Sequence, residues 1–172
     1  MAFDINTDDR LTGGGTIADS TLGVQQFAGF GSGILPTIRQ RYSYGTGSGQ
    51  VNKWYLARRT LTATTYDDLN LTSGLTTLGT TMAFTAVKRV LVAIIDPDGT
   101  KKLRVGPQGR TNAAALWFQA ATTNFWEETY GYVLKDRPVT GWAISAGSAD
   151  VLSIYNPGGS SLDYAVWIMG TG

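Results

Sequence analysis

The amino-acid sequence predicts an all-β fold, an antiparallel β-sandwich or jelly-roll-like domain that carries an extended N-terminal arm. Three observations lead there. Only 16% of the 172 residues are charged, against roughly 25% in ordinary soluble domains, and Glu127 and Glu128 are the only glutamates, so the polar faces of long helices are hard to furnish. Threonine, together with the β-branched and aromatic residues that suit a pleated, half-buried surface, is frequent. From residue 38 onward, short apolar runs are separated by turn-forming residues.

Residues 1–37 are read as the arm. Gly13, Gly14, Gly15, Gly29, Gly31 and Gly33 stand among scattered apolar residues that follow neither a strand nor a helix period. A stretch that long without its own periodicity points to a binding role or to disorder, and Phe27 and Phe30 favour an arm that orders against a neighbour. Its acids, Asp4, Asp8, Asp9 and Asp19, face Arg10 alone, whereas residues 38–66 carry Arg39, Arg41, Lys53, Arg58 and Arg59 with no acid. That asymmetry gives two expectations, arm exchange between copies or an ordinary solvated charged face.

Residues 38–172 form the sandwich domain. Candidate strands lie near 38–44, 51–57, 60–66, 82–95 with a bend, 101–106, 114–119, 130–135, 139–146, 150–156 and 162–169. The breaks between them carry turn chemistry, as in Gly45-Thr-Gly-Ser-Gly49, Asp96-Pro-Asp-Gly99, Gly106-Pro-Gln-Gly109 and Asn156-Pro-Gly-Gly159. In the last strand Tyr164, Val166 and Ile168 alternate with Ala165, Trp167 and Met169, so both faces are apolar. Such a strand is central or lies at a subunit contact, with its second face covered by a loop or a neighbour.

Absent residue types narrow the function. The chain contains no histidine and no cysteine, which removes Ser-His-Asp and Cys-His catalysis and the usual zinc, copper and iron ligand sets. No catalytic residue, metal ligand or cofactor site is assigned. Without cysteine the chain carries no signature of an oxidised, secreted scaffold, so cytoplasmic synthesis is expected, and the start, Met1 to Asp9, is acidic and lacks the basic and apolar segments of a secretory signal. The longest apolar runs, Val90 to Ile95 and Ala113 to Phe118, fall far short of the roughly 20 residues of a membrane helix. A net charge of +1 gives no general attraction to nucleic acid.

Few constellations suggest chemistry. Asp96-Pro-Asp98-Gly99 has the look of a calcium loop, but Lys101, Lys102 and Arg104 follow where further oxygen ligands belong, and a hairpin turn is the better reading. Asp67-Asp68 and Glu127-Glu128 are adjacent acids placed at expected strand ends, where solvated turn residues are ordinary. Lys88, Arg89, Lys101, Lys102, Arg104 and Arg110 are too dispersed for a genome-binding surface. Trp117, Phe118, Phe125, Trp126, Tyr130 and Tyr132 form the densest aromatic region. Core filling, a protein interface and ligand stacking all use such residues, and the polar surroundings of Phe125 and Trp126 mark them as exposed anchors. The candidate interface residues are Phe27, Phe30, Arg39, Arg41, Phe125, Trp126 and Tyr132.

From about Tyr55 onward the chain resembles a family of small virion-associated proteins of tailed bacteriophages. The resemblance lies in the order of Leu61-Thr-Ala63, Asp68-Leu-Asn-Leu-Thr-Ser-Gly-Leu75, Met82 to Ala93, Leu103-Arg-Val-Gly106, Gly141 to Gly147, Asp150 to Ile154 and Leu162 to Ile168. These are strand and turn motifs, so no site residue carries over. The residues up to about 53 have no counterpart in that pattern, and Asp96-Pro-Asp-Gly99 with its lysines replaces a more neutral turn. The resemblance implies a β-sandwich on the capsid surface that decorates or cements it, with the major capsid protein as partner. Association with its own copies, as a trimer, would cover strands apolar on both faces. A carbohydrate-binding sandwich of a tail fibre, stacking sugars on Trp117, Trp126 and Tyr132, and a small shell-forming coat protein are the alternatives.

Overall fold

The computed structural model describes residues 42–95, 98–118, 123–129 and 131–172, with the backbone of β1 (Asp4–Ile5), β2 (Thr16–Asp19) and β3 (Gly23–Gln26). β1 lies beside β4 (Tyr42–Tyr44), and β2 pairs with β3. The candidate residues Phe27, Phe30, Arg39 and Arg41 lie outside the described residues.

Every regular element of the described body is a strand, apart from one short 3-10 turn. β5 (Gln50–Val51) and β6 (Lys53–Leu61) open it, followed by β7 (Tyr66–Asn70) and a hairpin of β8 (Leu75–Thr77) and β9 (Thr80–Met82). Next come β10 (Ala86–Ile95), β11 (Leu103–Val105), β12 (Trp126–Glu128), β13 (Tyr132–Asp136), β14 (Trp142–Ala143), β15 (Val151–Tyr155) and β16 (Leu162–Thr171). One antiparallel sheet has the order β13-β10-β16-β6 with β14 also on β10, and the other runs β12-β11-β15-β7. The chain passes between the sheets at β6 to β7, β7 to β10 by way of the β8–β9 hairpin, β10 to β11, β12 to β13, β14 to β15 and β15 to β16, which makes the body a sandwich.

Alternation supplies the core between the sheets. Val90, Val92 and Ile94 of β10 and Tyr164, Val166 and Ile168 of β16 meet Leu152 and Ile154 of β15 and Leu103 and Val105 of β11. Each is essentially inaccessible to solvent, and burying such a side chain stabilises a fold by about 1.5–3 kcal/mol. The opposite faces of β10 and β16 are buried too, at Leu91, Ala93, Ala165 and Met169. Tyr42 and Val51 pack there with Met169, Trp54 and Trp167. Both-faced burial of β16, expected from its pattern, is therefore achieved within one chain. The argument that a trimer is needed to cover these strands falls away.

Several sequence expectations need correction. The separate strands at 51–57 and 60–66 are one strand, β6, because Arg58 and Arg59 continue it with ion pairs to Asp163 and Asp67. These pairs also supply the basic segment with acids from the body itself, which removes part of the charge argument for arm exchange. Asp67 and Asp68 lie within β7 and not at strand ends. A strand at 114–119 is replaced by a 3-10 turn at Leu116–Phe118, where Asn112 and Leu116 adopt positive φ and break the extended path. The segment around Asp98 is no hairpin, since β10 and β11 belong to different sheets. Asp98 instead accepts the Thr100 and Lys101 backbone N–H groups in a local turn.

Two polar ties fix the sandwich. Between the sheets, Asp67 receives Arg59 in a two-pronged pair and the Tyr164 hydroxyl at 2.6 Å, while Arg59 also donates to the Tyr55 hydroxyl at 3.0 Å. On the outer face of the larger sheet, Arg89 donates to Asp136 through Nε at 2.6 Å and Nη2 at 2.9 Å, and the Tyr42 hydroxyl donates to the same carboxylate at 3.2 Å. Lys88 is the extra residue of a bulge in β10, and its ammonium donates to the Gly47 carbonyl.

These ties set the pH response. Burial, then Asp67 for Tyr164 and Asp136 for Tyr42, raise both phenols above their ordinary value of 10.0. A raised phenol stabilises the fold fully below that value, and the contribution is lost as pH climbs towards the folded one. At the acid end, Asp163 is lowered by its Thr60 and Arg58 hydrogen bonds and Glu127 by Arg104. Their contributions are present above ordinary carboxyl values and fade as pH falls. With no histidine in the chain, the urea midpoint should stay level between about pH 6 and pH 9 and fall above about pH 10. A step near neutrality would contradict this assignment.

Candidate docking surface

The outer face of the smaller sheet carries a single row of side chains across all its strands. Leu69, Leu152, Ile154, Leu103 and Val105 are committed to the core, so the alternate residues Tyr66, Asp68, Tyr155 and Arg104 point outward, while Ser153, of the same phase, is covered and 0% exposed. The register places Glu127 opposite Arg104, Arg104 opposite Tyr155 and Tyr155 opposite Tyr66.

These groups stack on one another. The Arg104 guanidinium lies 4.3 Å from the centre of the Phe125 ring and 6.0 Å from that of Tyr155. Tyr155 and Tyr66 stack with centroids 4.3 Å apart at 28°, and Arg110 sits 4.5 Å from the Tyr66 ring centre. The sequence Phe125, Arg104, Tyr155, Tyr66, Arg110 is thus a continuous ladder of planar groups. Carboxylates brace both guanidinium groups. Arg104 Nε donates to Glu127 at 2.6 Å, and Arg110 Nε donates to Asp68 Oδ2 at 2.9 Å, with Nη2 on the same oxygen. Tyr66 and Phe125 remain 40% and 43% exposed, so the ladder is ordered without being covered.

Local backbone choices put the outer members in place. Gly106 follows β11 with φ near 149°, and a Cβ there would meet the Asn124 carbonyl at 2.7 Å and the Phe125 Cα at 2.8 Å. Only glycine lets the segment bearing Phe125 lie against β11. Gly106→Ala should cost about 1–3 kcal/mol and displace Phe125 from Arg104. A phenylalanine ring that keeps its chemical shifts in this variant would contradict the reading.

The sequence-derived candidates separate in space. Phe125 joins the ladder, whereas Trp126 has the inward phase of its partner Val105 and stands at the open rim between β12 and β13. There it is 45% exposed, with Nε1 donating to Glu128 at 2.6 Å and the Lys135 ammonium 4.6 Å from the ring. Tyr132 is half-buried opposite Ala93 on β13. Trp117 packs on the core and meets Trp142 edge-on at 5.7 Å, so it cannot serve as an open stacking platform. Lys88 and Arg89 are buried at 2% and 0% exposure and are unavailable to nucleic acid.

Sequence reasoning missed Tyr66 and Tyr155. The alternations Tyr66-x-Asp68-x-Asn70 and Val151-x-Ser153-x-Tyr155 held the signal, once the apolar partners Leu69, Leu152 and Ile154 fixed the inward phase. The chain matches no protein-family model, and no curated protein matches it.

Proposed function

We propose that this chain is a non-catalytic structural subunit of a virus particle, decorating or cementing the capsid by laying the outer face of its smaller sheet on the major capsid protein. The observation that carries the reading is the partly exposed, braced Phe125-Arg104-Tyr155-Tyr66-Arg110 ladder. Tyrosine and arginine are the residue types over-represented where binding energy concentrates in protein interfaces. Planar groups already held in place lose little freedom on docking. The order of strand and turn motifs shared with virion-associated proteins supports the same reading.

The ladder suits a protein partner better than a sugar. Tyr155 is flanked by Arg104 and Tyr66, and Tyr66 by Tyr155 and Arg110, so neighbouring planar groups take up their ring faces. A pyranose stacks on an open ring face. The carbohydrate reading rests instead on Trp126, which keeps 45% of its surface exposed although Lys135 lies over the ring.

Co-sedimentation with particles is the test. The chain should travel with them at a copy number near that of the coat subunit. A handful of copies per particle would place it in the tail, and absence from particles would overturn the proposal. Light scattering of the purified chain reads the trimer separately, and glycan-array binding lost in Trp126→Ala would favour the carbohydrate alternative.

A further inference from the structure

The strand β7 is the last of its sheet, and its hydrogen-bonding phase is fixed by its flanks. Asn156 N–H donates to the Thr65 carbonyl at 3.1 Å, and Leu71 N–H donates to the Asp150 carbonyl at 2.6 Å. In an antiparallel pair, bonded and non-bonded positions alternate, so Asp67 and Leu69 spend their backbone groups on β15. The N–H and C=O groups of Tyr66, Asp68 and Asn70 therefore point away from β15, over the open edge. Among the described residues no hydrogen bond ends on any of these backbone groups.

Exposed edges are commonly blunted by lysine, proline, a bulge or inward charge. β7 has no lysine and no proline, its register with β15 is unbroken, and its inward-facing acid, Asp67, is neutralised by Arg59. Asp68 is half committed. Both Arg110 bonds fall on Oδ2, and among the described residues Oδ1 has no partner. The edge therefore offers a row of main-chain donors and acceptors, one open carboxylate oxygen and the exposed Tyr66 ring on a single side.

We propose that β7 is an addition edge that takes up an extended strand of a partner protein, with a lysine or arginine opposite Asp68. This rests on the reading of the adjacent face as the docking surface and says how the partner is held there: main-chain bonds give affinity, and the Asp68 and Tyr66 side chains give register. The open acceptor on β7 selects the occupant. Asp67 is paired with Arg59 and Asp68 with Arg110, which leaves Asp68 Oδ1, without a partner among the described residues, to accept from a lysine or arginine of the incoming strand. A second copy paired through β7 about a two-fold axis centred on Asp68 would set Asp68 against Asp68.

The test uses the full chain and a blocked peptide of alternating threonine and valine with one central lysine. Amide exchange is read residue by residue by NMR. At saturation, exchange at Tyr66, Asp68 and Asn70 should slow about tenfold or more, while Asp67 and Leu69, already bonded to β15, should not change. Asp68→Pro removes an outward N–H, a substitution an edge strand tolerates, together with the carboxylate that braces Arg110, and should abolish protection at Tyr66 and Asn70. Asp68→Ala, which loses the same carboxylate and keeps the N–H, should still show protection at saturating peptide. Asp68→Asn keeps the edge and should weaken the peptide about tenfold through the lost charge. Should Asp68→Pro fail to fold, a peptide N-methylated on alternate residues carries the same test, because it must not protect. Unchanged exchange, protection without alternation, or equal binding of the N-methylated peptide would overturn the proposal. So would protection that rises with protein concentration alone, which assigns the edge to a second copy. Particle binding lost in Tyr155→Ala but retained in Asp68→Pro would leave the docking face standing and remove strand addition, and binding retained in both would remove both.

Discussion

Asp136→Ala is expected to destabilise the chain by about 3 kcal/mol and to lower its melting temperature by about 6–12 °C. The cost arises at Arg89, which is 0% exposed and has Asp136 as its charge partner, with the Tyr42 and Trp167 rings 5.4 and 5.8 Å away. Removing the carboxylate leaves a buried guanidinium without its counter-charge. The expected loss sits at the low end for broken buried pairs because Asp136 itself keeps 28% of its side chain exposed. Arg89 Nη1 already lacks a hydrogen-bond partner among the described residues, so the site has no spare acceptor. Arg89→Met combined with Asp136→Ala should restore most of the lost stability, since a well-packed apolar replacement removes both the ion and its need. Urea unfolding of the two variants decides the matter. A loss below about 1 kcal/mol in the single variant would mean that the pair contributes little.

The second large effect is on docking. Tyr66→Ala with Tyr155→Ala should reduce affinity for particles by about a hundredfold or more, since each removes an anchor of the kind that costs about 2 kcal/mol or more when truncated. Stability should fall by only about 1 kcal/mol, because the stacked pair lies on an exposed sheet face. Tyr155→Phe keeps the stack and loses the hydroxyl, and a loss of about fivefold is expected from one outward hydrogen bond. Salt should have a modest influence, because Glu127 and Asp68 already neutralise Arg104 and Arg110 within the chain. Quantitative co-sedimentation of the variants across a salt series measures both effects. Full-strength binding by the double variant would remove the ladder from the interface.

Much of the scaffold was legible because apolar alternation is a local signal. Tyr164, Val166 and Ile168 fix the inward phase of β16 without reference to the rest of the chain, and Ala165, Trp167 and Met169 announce a covered outer face. The misread elements are those where a distant partner decides. Asp67 and Asp68 resemble turn residues until Arg59 and Arg110 neutralise them inside a strand. Lys88 and Arg89 read as members of a dispersed basic surface until Gly47, Asp136 and Tyr42 close over them. Phe125 was recognisable from its polar surroundings, but Tyr66 and Tyr155 become neighbours only through the register of β7 and β15. A hydrophobic pattern specifies which face is inside, and it is silent on how the polar face is arranged across strands.

The position of β16 between β10 and β6 bears on how the molecule is made. Of the strands in its sheet, it is the last to leave the ribosome, yet it is the one that joins the others. Until it arrives, β10 and β6 carry greasy, unzipped margins with nothing between them, and the larger layer cannot close. Assembly of this half must therefore await synthesis of Leu162–Thr171, and translation that stalls before that point would release a sticky product suited to chaperones or to aggregation.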